Sequence, residues 1–336
     1  MRTKFLYIIS VVLNLNILTS CEKTEISLTP GPKEPVDSYY SSETIAEGVQ
    51  LLSIDFPISS LPVLSGAGVV NTDSARLARK QVILQAVADM VYVDGGTFLM
   101  GATEEQGLNV HPYEKPAHQV TLTSYYISKY EVTRELYWYV VGGANQSNAT
   151  LMNANSDLKV PVEYRTYAEF QSFITKLNAL TGLKFAVPTE AQWEFAARGG
   201  RKRTATPGLY AGGTNIENVA CYLNNCMILP VTPVLPPSLG MANAVGTKVP
   251  NELGLYDMSG NMAEMCQDWY SAYPDSIQVN PVGPTTLPSG TPLKRVVRGG
   301  SWLGTADVCR TSARAGALSP STRYYMVGLR LAHPKL

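Results

Sequence analysis

The residues of this chain that could do chemistry are concentrated in two segments near the C-terminus, Asn251–Trp269 and Arg295–Arg310. Both segments contain Gly, Trp and Cys at fixed offsets, and the first also contains Asn. Thiolates bind soft ions such as Cu(I), and carboxylate and carbonyl oxygens bind hard ions such as Ca²⁺. The composition therefore indicates irregular backbone that is held by side-chain and metal contacts rather than by long helices.

Residues 1–20 are typical of an export signal. A positively charged start precedes an apolar run that ends at Leu18, and this run is too short and wrongly flanked for a membrane span. The following residues, LTSC at 18–21, resemble the bacterial lipobox, in which the cysteine is acylated and becomes the new N-terminus. The sequence predicts a lipid anchor on Cys21 in the cell envelope, at the outer membrane. The alternative is an ordinary cleaved signal with a chance cysteine.

Four cysteines follow Cys21, namely Cys221, Cys226, Cys266 and Cys309. An even number of cysteines in an exported protein predicts disulfides, and four cysteines allow three pairings. Because only four residues separate Cys221 from Cys226, we expect these two to close a small loop. That leaves Cys266 to pair with Cys309.

Charge and histidine content exclude several classes of function. Lys+Arg and Asp+Glu are 27 each, so there is no long-range field to attract nucleic acid. No phosphate-binding GxxxxGK loop occurs, and the three histidines, His111, His118 and His333, are not clustered in a metal-binding pattern. Ser301 has no recognisable His and Asp partners for a hydrolase triad.

Secondary-structure patterns divide the chain into parts. Residues 21–40 are polar and contain prolines, which is typical of a tether. Residues 41–88 include an amphipathic helix pattern over Asp73–Met90, but no role can be assigned to this region. Met90–Met100 predicts strand, Gly-Gly turn and strand, and Val120–Tyr130 predicts a further strand.

Helix signals are clear in the middle of the chain. Thr133 is expected to cap a helix that ends near Gly142. Arg165–Gly182 contains a capping box and an apolar face, and a second main helix follows Pro188 and ends at Gly199. No long helix is predicted after residue 201. So long a loop region requires disulfides, buried Trp anchors or bound metal to order it.

Seven motifs in order resemble those of the formylglycine-generating enzyme, or sulfatase-modifying factor, family. They are MVYVDGGTFLMG, KPAHQV followed by YYISKYEVT, PVEYRTYAEF, FAVPTEAQWEFAARGG, PNELGLYDMSGN, RVVRGGSW and VGLRLA. The resemblance covers residues 89–334. It implies an α+β fold, a variant of the C-type lectin fold with little regular secondary structure, two main helices, short strands and long ordered loops.

The resemblance also implies a chemistry. Members of this family oxidise a sulfatase cysteine to formylglycine with oxygen and a copper ion that two cysteines hold. Counted from the RGGS motif, those positions are Gly304 and Cys309, so the first copper thiolate is missing and copper binding is doubtful. Alternatively, Cys266 serves as a substitute copper ligand instead of forming a disulfide with Cys309. If the chain is an enzyme, Cys309 and Ser301 are its catalytic residues.

A calcium site is implied by the same resemblance. It transfers to Asp257 and Glu264 through their carboxylates and to Gly260 and Met262 through their carbonyl oxygens, a ligand set that suits a hard cation. The alternative is that these carboxylates cap local turns. Related sequences have Trp where this chain has Ala263 and Met265; this change either reshapes the peptide cleft or only repacks the core.

Several charged and aromatic residues near these motifs are expected to hold backbone by pairing and stacking rather than to bind ligands. They are Asp268, Trp269, Arg298, Trp302, Arg310, Arg314 and Arg330.

Together these features predict a lipid-anchored envelope protein whose calcium-braced domain binds a protein, peptide or glycan without catalysis. The alternative is a copper-dependent oxidoreductase that converts a sulfatase cysteine to formylglycine.

Overall fold

The computed structural model of this protein describes residues 40–45, 49–63, 71–107, 110–142, 158–204, 208–228, 240–286, 289 and 293–335. The predicted export signal, Cys21 and nearly all of the predicted tether lie outside these residues. Within the described stretches, no helix has the length and apolar character needed to cross a bilayer.

Five α-helices occur in the described residues. They are α1 (Asp73–Ala88), α2 (Arg134–Val141), α3 (Tyr167–Thr181), α4 (Glu190–Ala197) and α5 (Ile216–Val219).

The predicted caps are present. The Thr166 side chain accepts the Glu169 amide, and the Glu169 carboxylate accepts the Thr166 amide. Thr189 and Gln192 form the same capping box on α4. Two helices are long, but they are α1 and α3, because α4 ends after 8 residues.

Short strands make up most of the remaining regular structure. In chain order they are β1 (Tyr40–Ile45), β2 (Val49–Ile54), β3 (Met90–Val93), β4 (Gly96–Met100), β5 (His118–Leu122), β6 (Tyr125–Ser128), β7 (Met227–Ile228), β8 (Gly240–Met241), β9 (Ala263–Trp269), β10 (Gln278–Val279), β11 (Arg295–Arg298), β12 (Arg314–Leu318), β13 (Val327–Gly328) and β14 (Ala332–Pro334). They form small sheets in the orders β14-β6-β3, β10-β5-β4 and β12-β11-β9-β13, with β1-β2 and β7-β8 as two-stranded pairs.

The strands predicted around the Gly-Gly turn are present, but they do not pair with each other. β3 pairs with β6, whereas β4 pairs with β5. A Cβ at Gly95 would lie 2.4 Å from the Leu122 carbonyl oxygen, so only glycine allows this close backbone approach. The single strand predicted over Val120–Tyr130 is two strands, β5 and β6, that belong to different sheets.

Two large hydrophobic clusters form the core. The first joins α1, α2 and α3, and in it Ile83 and Val87 pack with Phe170 and Phe173. Helix α1, in the region to which the sequence assigned no role, therefore packs into the same core as the predicted helices. The second cluster surrounds Trp193 of α4 and includes side chains of β4, β5 and β9.

The four-stranded sheet positions the two chemistry-bearing segments. β9 and β11 are antiparallel, with Arg298 opposite Glu264 and Val297 opposite Met265. This pairing fixes the segment after β11 against the loop that leads into β9.

Candidate functional site

The RGGS motif forms a tight turn at the end of β11. Gly299 and Gly300 both adopt positive φ, 91° and 71°, which glycine alone adopts without strain. A Cβ at Gly300 would lie 2.7 Å from the Cys309 sulfur. The turn therefore brings the backbone of Gly300 directly against the thiol of Cys309.

Cys309 is fully buried at 0% exposure. It packs with Tyr210, Val219 and Tyr222. Burial, followed by the nearby charge of Asp307, raises the pKa of the Cys309 thiol to about 12. Because the thiolate is the metal ligand and the nucleophile, this cysteine is in its unreactive neutral form at physiological pH.

Gly304 closes a turn rather than presenting a ligand. Its amide donates to the Ser301 carbonyl at 2.8 Å, and its carbonyl accepts the Leu223 amide at 3.0 Å. A Cβ there would lie 2.7 Å from Val308 Cγ2 and 3.2 Å from the backbone nitrogen and oxygen of Ser301. With one buried thiol and no second sulfur, these residues do not fit a two-thiolate copper centre.

The cysteines follow the predicted pairing in one case only. Cys221 and Cys226 form a disulfide across a Cα–Cα distance of 4.9 Å. The predicted Cys266–Cys309 disulfide is wrong, because both residues are buried free thiols. They belong to different hydrophobic clusters, with Cys266 beside Trp193 and Cys309 beside Tyr210. Burial raises the pKa of Cys266 well above its usual value.

The two positions where related sequences have Trp are part of the interior. Ala263 is 5% exposed, and Met265 is 0% exposed. Both pack with Val297 and Val327. Of the two interpretations of this substitution, the structure favours repacking of the core.

Buried ion pairs hold the segments around Cys309. Arg298, which is 0% exposed, donates to the carboxylates of Glu190 and Glu194 on α4. It also donates to the carbonyl oxygens of Thr311 and Ser312, at 2.8 and 3.1 Å. The expected structural role of Arg298 is therefore confirmed: it ties α4 to the chain that follows Cys309.

The other arginines of this group act in the same way. Arg314 pairs with Glu190 at 2.6 Å, and Arg310 pairs with Glu114 at 2.7 Å. Arg330 pairs with Glu264 at 2.7 Å.

The loop before β9 is fastened by a residue that the sequence analysis did not select. Glu131, which is 2% exposed, accepts the Asn261 side-chain amide and the Met262 backbone amide, both at 3.0 Å. Burial, and then the charge of Asp257, raises the pKa of Glu131 well above its usual value. Its only sequence signal is its place in the motif YYISKYEVT.

Two of the predicted calcium ligands, Asp257 and Glu264, would bind through their carboxylates, and only Asp257 fits that role. Asp257 is 3% exposed, and its Oδ2 accepts the Gly246 amide at 2.7 Å, while its buried Oδ1 has no partner among the described residues. Burial raises the pKa of Asp257 to about 6. Asp257 therefore has an oxygen to offer a cation.

Glu264 does not fit the calcium role in this arrangement. Its two oxygens together accept four hydrogen bonds, three from Arg330 at 2.7–2.9 Å and one from the Trp193 indole at 2.6 Å. A carboxylate has about four lone-pair sites, so none remains for an ion. Within the described residues there is no group of three or more His, Cys, Asp or Glu side chains placed to hold a metal. Calcium binding stays a prediction.

Comparison with known proteins matches the chain to one family model and to several related proteins. The model described as "Sulfatase-modifying factor enzyme 1-like domain" matches residues 75–335, which include most of α1. The chain is 29% identical over 256 residues to "Chaperone protein LppX" of Paenibacillus barcinonensis, covering 67% of this chain and 82% of that protein. It is 26% identical over 291 residues to the formylglycine-generating enzyme of Thermomonospora curvata, covering 72% of this chain and 92% of that enzyme.

Among solved structures, Treponema denticola variable protein 1 has a similar fold. The TM-score is 0.59 at 27% identity, and the match covers 73% of this chain and 95% of that one. The predicted formylglycine-generating-enzyme-like α+β fold is confirmed by this likeness.

We predict that thiol reagent added to the native protein finds no reactive cysteine among the four that follow Cys21, because Cys266 and Cys309 are buried. Denaturation without reductant should expose two thiols, since Cys221 and Cys226 stay oxidised. A soluble form that begins after Cys21 would be titrated, and Cys309→Ser should reduce the denatured count to one. Finding no thiol after denaturation would restore the Cys266–Cys309 disulfide.

Proposed function

The chain belongs to the sulfatase-modifying factor (formylglycine-generating enzyme) family, and from that premise we propose that it binds a partner in the cell envelope without catalysis. The observation that carries the proposal is the state of the copper positions. Residue 304 has no side chain, and the one remaining thiol, at Cys309, is buried and neutral. The partner is an envelope protein, a peptide or a glycan.

Catalysis in this family requires a thiolate that oxygen and substrate can reach. Cys309 is covered by Tyr210 and Tyr222 and lies against Gly300. Ser301, the other candidate catalytic residue, is 5% exposed, and its carbonyl accepts the Gly304 amide. Both residues are used in closing the turn, and this favours a structural role for them.

The relatives are compatible with both candidate functions. The likeness to a protein named as a chaperone, LppX, supports a role in binding another polypeptide. The likeness to the Thermomonospora curvata formylglycine-generating enzyme keeps a copper-dependent oxidoreductase as the alternative. In that alternative, Cys309 would have to leave its pocket to act as a copper ligand.

The two functions can be separated with a CxPxR peptide incubated with oxygen and Cu(I). We expect no conversion of the peptide cysteine to an aldehyde, as measured by mass spectrometry, because only one buried sulfur occupies the copper positions. The Thermomonospora curvata enzyme serves as the positive control. Aldehyde formation that Cys309→Ser abolishes would establish the enzyme and end the binding proposal.

A pair of variants refines this experiment. Gly304→Cys alone should bind Cu(I) poorly, because its Cβ would meet Val308 Cγ2 at 2.7 Å. Combining it with Val308→Ala makes room and should increase Cu(I) retention. Val308→Ala alone is the matched control for any effect of the cavity itself.

Calcium binding belongs to the same proposal, with Asp257 as the side-chain ligand and Gly260 and Met262 as carbonyl ligands. Binding to the folded state alone raises stability by about 2.7 kcal/mol when calcium is at 100 times its Kd. We therefore expect the Tm of the wild type to be higher in CaCl₂ than in EDTA. Asp257→Asn should remove that difference.

Glu264→Gln provides the contrast, because Glu264 is bound to Arg330. This variant should lower the Tm in CaCl₂ and in EDTA alike, since it weakens a buried ion pair. A wild-type Tm that does not respond to calcium would contradict calcium bracing of the loop.

The envelope location is proposed from the lipobox-like run at 18–21. The name of the relative, Chaperone protein LppX, does not state a location. Acylation supplies about 0.8 kcal/mol for each buried CH₂, so two chains on Cys21 anchor a protein firmly. Cys21→Ser should move the protein from the membrane fraction to the soluble fraction. Ser20→Ala is the matched control. A wild type that is already soluble, with an N-terminus other than acylated Cys21, would contradict the anchor.

A further inference from the structure

A cavity lies away from the copper positions. It has a volume of about 510 Å³ and opens between the start of α4 and the chain from β9 to residue 284. Its lining includes Met100, His118, Glu190, Asp268, Trp269 and Tyr273. None of its lining residues belongs to the 257–264 loop or to the segment 299–311. Ligand pockets in proteins have volumes of about 300–1,000 Å³, so the cavity is large enough for a small molecule or one long side chain.

Asp268 gives this cavity a carboxylate that forms no ion pair with a described residue. The residue is only 5% exposed. Its Oδ2 accepts the Glu190 amide at the start of α4, at 2.8 Å. No other described residue donates a hydrogen bond to its Oδ1, although the backbone amide of Asp268 itself lies close to the carboxylate. A carboxylate that lines a cavity and forms no ion pair is available to a ligand that supplies donors.

The other charges that face Asp268 are already matched to each other. Both oxygens of Glu190 accept from Arg314, at 2.6 and 2.8 Å, and the Tyr273 hydroxyl adds a third bond. Arg295 on β11 stacks on the Trp269 ring at 3.5 Å and is not hydrogen-bonded to Asp268. Arg298 also donates to Glu190, at 3.3 Å. Among the described residues no Arg, Lys or His side chain forms an ion pair with Asp268, so of the two carboxylates that line the cavity Asp268 is the one left for a ligand to pair with.

His118 adds a second acceptor rather than a donor. Its Nδ1 lies 3.2 Å from the Pro116 carbonyl oxygen, which can only accept, so the neutral ring carries its proton on Nδ1. Nε2 is then an acceptor. A ligand that suits this cavity must bring hydrogen-bond donors and positive charge.

The loop over Asp268 is fixed in place. The Asn280 side chain accepts the Thr123 amide at 2.9 Å. Gly283 has a φ of 72°, and a Cβ there would lie 2.9 Å from Asp268 Cβ. The backbone at Gly283 therefore packs closely against the Asp268 side chain. Burial, and then the charge of Glu190, raises the pKa of Asp268 to about 7.

We propose that this cavity binds a primary ammonium group, from either a lysine side chain or a small free amine, with Asp268 as its counter-ion. The ammonium donates to Asp268 Oδ1, and the apolar and aromatic lining, with Met100 and Tyr273, receives the methylene chain. The site does not depend on whether the copper positions support catalysis.

Ligand-observed NMR titration tests this directly on the soluble chain. The probes are Nα-acetyl-lysine methylamide, n-butylamine, and the uncharged Nα-acetyl-norleucine methylamide as the matched control. We expect the two amines to bind at pH 8 and the norleucine compound to bind at least about tenfold more weakly, as for loss of a charge-assisted hydrogen bond. Binding of butylamine alone would assign the site to free amines, and binding of the capped lysine would assign it to lysine side chains.

Asp268→Asn removes the charge but keeps an oxygen that can accept the Glu190 amide, so α4 retains its cap. We expect this variant to lose amine affinity by about tenfold or more. Asp275→Asn, a change in an exposed carboxylate on the same segment that does not line the cavity, should leave the affinity unchanged.

The pH profile gives a second readout. The amine stays protonated between pH 6 and pH 8, whereas Asp268 gains a proton as the pH falls through its pKa of about 7. Wild-type affinity should therefore fall roughly tenfold from pH 8 to pH 6. His118 also lines the cavity, so the loss of this pH dependence in Asp268→Asn is needed to assign it to the carboxylate. Equal binding of amine and norleucine compound, or undiminished binding by Asp268→Asn, would overturn the proposal.

Discussion

The fold depends on the burial of Arg298 between α4 and the chain that follows Cys309. Its guanidinium is 0% exposed and donates to two glutamates of α4 and to two backbone carbonyls. A charge this deeply buried is tolerated when it is paired and hydrogen-bonded, as Arg298 is through both of its terminal nitrogens. The α4 helix, β11 and the segment 309–314 are consequently held in one arrangement. The tight RGGS turn follows from it, because Arg298 is both the last residue of β11 and the start of that turn.

Two other buried carboxylates act in a similar way in described loops that lack regular hydrogen bonding. Glu131 accepts two amides of the loop before β9, and Glu114 accepts from Arg310 and from Ser312. Buried side chains thereby satisfy backbone and polar groups that helices or sheets would otherwise satisfy. This accounts for a compact core with short strands, and it places several carboxylates where solvent does not reach them.

Local signals in the sequence predicted local structure well. The capping boxes of α3 and α4 were predicted because a cap and its partner lie three residues apart and need no tertiary information. Strand partners could not be predicted from neighbouring residues, since β3 and β4 are adjacent in sequence but pair in different sheets. The Cys266–Cys309 pairing was wrong for the same reason. Counting cysteines gives the possible pairs, but only the three-dimensional fold places Cys266 with Trp193 and Cys309 with Tyr210.

Site residues likewise divide into those that local motifs predicted and those whose contacts are distant in sequence. Cys309 and Gly304 were predicted from their offsets to one motif, and the structure adds why the difference matters: Val308 and Ser301 occupy the space that a side chain at 304 would need. Glu131 and Asp268 act through partners more than seventy residues away, so their places in or beside motifs do not show which groups they contact. The RGGS turn and the surroundings of Cys309 are packed as interior, whereas Asp268 lines a cavity and forms no ion pair with a described residue. Packing therefore closes the region around Cys309, whereas the cavity beside Asp268 leaves room for the ammonium ligand that we propose.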